Sequence, residues 1–134
     1  MGKTILVDKD IQDGRLLVEA LDRSKFSLDG ALWYYMLNSD EWRLLLVSSL
    51  VERTGPKKVY RIVQSTIEDM APTFGVSLNR ISVLSPKNKL IQLLSIALRT
   101  GRGLSGIRFT RNTINGVFIE DAYIYRLDVP RYPR

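Results

Sequence analysis

The 134-residue sequence has no cysteine and no histidine. The first absence removes thiol nucleophiles, disulfides and thiolate metal sites. The second removes Ser-His-Asp relays, imidazole-held haem and any imidazole switch near neutral pH. No cofactor is indicated. Chemistry, if any, is left to 14 carboxylates, 20 basic groups, hydroxyls and backbone.

Long apolar runs, repeats, low-complexity tracts and Ser/Gly linkers are also missing. The apolar stretch ending at Val7, just before Asp8, is too short for a signal peptide or a membrane span, so a cytoplasmic protein without membrane association is expected. Leu6 stands where a myristoylation signal needs Ser or Thr, and Gly2-Lys3-Thr4 lacks the upstream glycine of a P-loop. What is present is the composition of one globular domain over residues 1–134, with 45% apolar and 25% charged residues. A chain of this length buries about two thirds of its unfolded surface and needs no staple.

The apolar spacing of Ile11, Leu17, Val18 and Leu21 predicts a helix over about 9–23, with Asp8 or Asp10 as its cap. Ala31 to Leu37 and Trp42 to Val47 read as antiparallel strands joined through Asn38-Ser39-Asp40-Glu41. Their nearly continuous apolar character implies cover on both faces, from helices of this chain or from a second subunit. Gly55-Pro56 opens a second helix, carried by Val59, Ile62, Val63, Ile67 and Met70. Ile81 to Leu84 is a short strand. Ser85-Pro86 is expected to start a third helix over Leu90, Leu93, Leu94, Ala97 and Leu98, stopped by Gly101. A second hairpin turns at Asn115-Gly116, placing Ile107, Phe109, Phe118, Ala122 and Ile124 on its core face. The expected fold is α+β: a single domain with a mixed sheet of about five strands and three helices, and a frayed tail over 130–134.

The net charge of +6 is uneven. Residues 99–134 carry seven arginines against Glu120, Asp121 and Asp128, a net +4, leaving +2 for the rest. Such an excess draws a protein toward phosphates and other anions. Two helix starts carry lysine where the backbone dipole disfavours it: Pro56-Lys57-Lys58 with Arg61 one turn on, and Pro86-Lys87-Asn88-Lys89. If both helices follow parallel strands, their starts share one edge of the sheet and form an anion site. Solvated, screened lysines are the ordinary alternative. The segment from Arg99 to Arg111 adds Arg102, Arg108 and Arg111 among three glycines, with Phe109 available for stacking. Its ordinary alternative is a set of turn glycines and a core phenylalanine.

Arg111 and Glu120 are expected to face each other across the second hairpin. Asp40-Glu41 and Glu120-Asp121 bring carboxylates close enough to consider a metal-dependent nuclease, but neither pair has convergent ligands in sequence. Asp8-x-Asp10-x-Gln12 with Glu19 imitates a calcium loop, but the position that must be glycine is Asp13. Trp33, Tyr34, Tyr35 and Trp42 suggest strand core or a subunit interface. The sequence therefore favours a basic binding module for nucleic acid or another polyanion, without catalysis, through Lys57, Lys58, Arg61, Lys87, Lys89, Arg102, Arg108 and Arg111. The alternative is a protein-interaction subunit, such as a homodimer through the Trp33–Tyr35 and Trp42–Val47 hairpin.

Overall fold

A computed structural model describes residues 2–70 and 72–132. Helix α1 runs Asp8–Arg23 and buries Leu17, Val18 and Leu21. Its cap position is Val7, which offers no side-chain hydrogen bond, so Asp8 and Asp10 favour the helix as first-turn charges rather than as the expected caps. Strands β1 (Gly30–Met36) and β2 (Glu41–Val47) form the expected antiparallel hairpin, with Tyr35 opposite Trp42.

The chain then makes α2 (Leu50–Thr54), α3 (Pro56–Met70), one 3-10 turn at Leu78–Arg80 and β3 (Ile81–Leu84). Helix α4 (Lys89–Ala97) leads to the β4 (Ile107–Ile114) and β5 (Val117–Leu127) hairpin. The result is one mixed five-stranded sheet in the order β3-β2-β1-β5-β4, with β2 and β3 parallel. This is the expected α+β domain. No helix among the described residues is long and apolar enough to cross a membrane.

Strand alternation explains the near-continuous apolar runs. Ala31, Trp33, Tyr35, Trp42, Leu44 and Leu46 face one side, where α1 and α3 pack with Leu17, Val18, Val59 and Val63. Leu32, Leu45 and Val47 face the other, where Ile91 and Leu94 of α4 pack with Ala122, Ile124 and Leu127. Both faces of the central hairpin are thus covered by helices of this chain.

Three local expectations change. Helix α2, not expected, is too short to show an apolar period and only partly buries Leu50 and Val51 against the first core, and it stops where Gly55 takes φ 86°. Helix α4 begins three residues later than Pro86. Ser85 instead holds a turn, its Oγ accepting from Lys87 N at 3.0 Å, and the Asn88 side chain caps the helix by accepting from the N–H groups of Leu90 and Ile91. It also ends early, at Ala97, where Leu98 turns extended well before Gly101.

In the second hairpin the register is as expected, with Ile114 opposite Val117 and Asn112 opposite Ile119 around Asn115 and Gly116 at φ 47° and 81°. Its faces differ. Arg111 adopts φ 48° and interrupts the ladder, and beyond it Ile114 and Ile119 bury into the core while Phe118, expected inside, is 49% exposed. A left-handed residue within a strand twists the chain and re-aims the side chains that follow.

Candidate anion-binding cleft

The end of β3 builds the site. From Leu84 the chain passes through the Ser85 turn and the Asn88 cap into α4, which places Lys87 just before the helix and Lys89 at its first residue. One turn on, Gln92 grips the C-terminal segment: its Nε2 donates to the carbonyls of Pro86 (2.7 Å) and Pro130 (2.9 Å), and its Oε1 accepts from Tyr132 N (3.2 Å). Residues 130–132 of the tail expected to fray thus lie along α4; 133 and 134 lie outside the described residues.

Between helix, tail and hairpin tip lies a cleft of about 910 Å³. Lys87, Lys89 and Arg131 supply its charge, Leu93 and Ile96 its apolar lining, and Gln92, Asn115 and Tyr132 the rest. The described lining includes no carboxylate. Lys87 Nζ sits 5.2 Å from the centre of the Tyr132 ring and 3.7 Å from Glu52 Oε2. Both members of that ion pair are well exposed, so the pairing is weak and readily exchanged for another anion.

The other cations of the sequence reading are placed elsewhere. Lys57, Lys58 and Arg61 are exposed on α3, whose buried Val59 and Val63 point the opposite way. Helices α3 and α4 both follow the carboxyl ends of the paired parallel strands β2 and β3, but they pack on opposite faces of the sheet. The α3 cations therefore do not line the α4 cleft. Arg61 lines a separate cleft of about 550 Å³ with Lys25 and Asp69, beside Ile62 and Phe26.

The arginines of the glycine-rich segment are engaged within the chain. Arg102 reaches the Asp29 carboxylate (3.0 Å), the Asp128 carboxylate (3.5 Å) and the Leu28 carbonyl. Arg108 forms a bidentate pair with Asp121 (2.7 and 2.9 Å) and lies over the Trp42 ring. Arg111 Nε is 3.7 Å from Glu120, the cross-strand pairing expected from the hairpin. Phe109 packs partly buried against the second core.

The carboxylates are likewise taken. Asp121 is 2% exposed, and burial alone would raise its carboxyl, yet hydrogen bonds and charge from Arg108 and Lys3 outweigh that and hold it below the usual range. Lys3 also reaches Glu120 (3.0 Å). Asp40 accepts from Thr4 N and from the Tyr35 hydroxyl at 2.6 Å, which lowers its own proton affinity and pushes the tyrosine up to about 12. Asp8, Asp10 and Gln12 lie within α1, and Asp13 accepts from Lys9 (2.6 Å) and from Gly75 N (2.9 Å). Among the described residues no cluster of three or more acidic, histidine or cysteine side chains is arranged to hold a metal ion.

Trp33, Tyr35, Trp42 and Leu44 to Val47 are buried within this chain, leaving only Tyr34 of the aromatic run half-buried. Of the two sources of cover expected for that hairpin, helices of this chain supply it, through α1, α3 and α4. Sequence reasoning missed Arg131, Tyr132, Gln92 and Asn115 as cleft residues. The placement of the tail and of the hairpin tip against α4 brings them together, and the one signal for it was Gln92 among the apolar residues of that helix. No family model, curated protein or solved structure matches this chain.

Proposed function

We propose that this protein is a small basic binding module for nucleic acid or a related polyanion, and that the α4 cleft is where the anion sits. One observation carries the reading: three cations and no described carboxylate line a concave site that also has apolar lining. Phosphates are held by Lys87, Lys89 and Arg131. Lys57, Lys58 and Arg61 form a second basic row on the other side of the sheet, suited to a ligand that continues past the strand ends. Arg102 and Arg108 serve the fold through close carboxylate pairs, and Arg111, more loosely paired with Glu120, lies outside the cleft lining.

The test is binding to RNA and DNA across a salt series. Log Kd should vary linearly with log salt, and charge reversal of Lys87 and Lys89 together should weaken binding and flatten the slope by about 1.5. Charge reversal of Lys57 with Lys87 should do likewise if the ligand spans both faces. Absence of binding to either nucleic acid at about 50 mM salt refutes the reading.

The rival is a protein-interaction subunit. It draws on Ile5, Val7 and Leu16, apolar residues that are 76%, 50% and 48% exposed on the N-terminal arm and α1. It forecasts a mass above that of one chain in solution, reduced by Ile5→Asp.

A further inference from the structure

A site for phosphate alone has no use for apolar lining or an aromatic wall. The α4 cleft has both. Leu93 and Ile96 line it, with Ile96 46% exposed although it sits on a core-packing helix. The Tyr132 backbone is held against α4 rather than left on a loose end, because Gln92 binds the chain on both sides of Arg131. Lys87 stands over that ring at 5.2 Å, so a cation and a π-face are adjacent.

The alternation of ammonium groups with ring and aliphatic surface matches a polymer in which phosphates alternate with flat apolar groups. A double helix offers its phosphates and groove edges but no free base face, since its bases are paired and stacked inside, and it would leave Tyr132 without a stacking partner. An unpaired strand can bring both components at once. Resting on the polyanion reading above, we infer that the cleft takes single-stranded nucleic acid, with a base stacked on Tyr132 in the place Lys87 now covers. Lys87 then moves to the neighbouring phosphate, alongside Lys89 and Arg131. Asn115, at the hairpin tip, faces the same cleft and offers an amide to a base edge.

The experiment compares four competitors at one salt concentration on the full chain: a short oligothymidylate, a duplex of equal length, an abasic deoxyribose-phosphate oligomer and inorganic polyphosphate. Oligothymidylate should bind about tenfold more tightly than the abasic oligomer, the margin expected from stacking one base. Tyr132→Ala should erase that margin without changing the salt slope, and Tyr132→Phe should keep it. Lys87→Gln should instead reduce the slope by about 0.7. Thermal melting of each variant shows that the fold is retained.

Equal affinity for oligothymidylate and the abasic oligomer, or preference for the duplex, overturns this inference while leaving the polyanion reading intact. Undiminished oligothymidylate binding by Tyr132→Ala overturns it as well. Failure of all four competitors to bind removes both.

Discussion

The Tyr125 hydroxyl occupies the space that a side chain on Gly14 would need. A Cβ there would overlap the phenol oxygen and stand 2.9 Å from Trp33 Nε1. The same hydroxyl accepts from Trp33 Nε1 at 3.0 Å and donates to the Ile11 carbonyl, joining α1 to β1 and β5. On an exposed helix, Gly→Ala stabilises by about 1 kcal/mol. Here the sign reverses: Gly14→Ala should cost about 1–3 kcal/mol by overpacking. Adding Tyr125→Phe, which removes the offending oxygen, should recover part of that loss in a double-mutant cycle measured by urea unfolding.

Asp121 predicts the acid limb of stability. Its carboxyl is held below the usual range in the folded chain. The stabilisation it gives is therefore complete above the unfolded value of about 4 and is lost as pH falls through the lower folded value. Asp121→Asn leaves Arg108 and Lys3 without their shared partner and should cost about 2 kcal/mol at neutral pH. The variant should also lose less stability on acidification than the parent. Equal acid dependence of the two would contradict the assignment.

Arg126 and Asp22 make an asymmetric pair. The guanidinium is nearly fully buried, bonded to Asp22 (2.8 and 3.0 Å) and to the Leu28 carbonyl, and its Nε has no partner in the described structure. Removing the more exposed partner strands a buried charge. Asp22→Ala should therefore cost about 3 kcal/mol, more than Arg126→Met, which removes the charge and keeps the bulk. Chemical denaturation of both variants decides the order.

Arg111 holds a backbone conformation that glycine adopts more easily, and its ion pair with Glu120 is long, with the arginine side chain exposed. Arg111→Gly should leave stability unchanged or raise it by up to about 1 kcal/mol. If the α4 cleft binds the ligand, the same variant should also leave the salt slope of nucleic-acid binding unaltered, whereas Lys89→Gln should lower it.

The elements read well from sequence where one physical signal ruled. Two apolar runs around a polar loop placed the first hairpin, and Asn115-Gly116 placed the second and set its register. The faces of that hairpin were lost at Arg111, because a left-handed arginine has no mark in sequence. The start of α4 was shifted because Pro86 and Asn88 are both valid start signals, and the choice depended on which could reach the N–H groups of Leu90 and Ile91. The basic character of the cleft was half legible. Lys87 and Lys89 stood out as misplaced charges at a helix start, but Arg131 and Tyr132 join them only because Gln92 binds a segment about 40 residues further along the chain. The ion pairs of Arg102 and Arg108 were not legible, because their carboxylate partners Asp29, Asp128 and Asp121 come from other strands and loops, whereas Arg111 opposite Glu120 followed from the hairpin register.

The strand order has a consequence for biosynthesis. Its middle strand, β1, is among the first to be made, yet one of its two neighbours is β5, the last. Without β5, β1 keeps an open edge whose backbone groups at Leu32, Trp33 and Tyr34 lack their partners. That edge is closed only by pairing with Val117–Leu127, so the sheet is incomplete until β5 is in place. A chain cut before β5 is left with a sticky edge that chaperones and proteases can recognise.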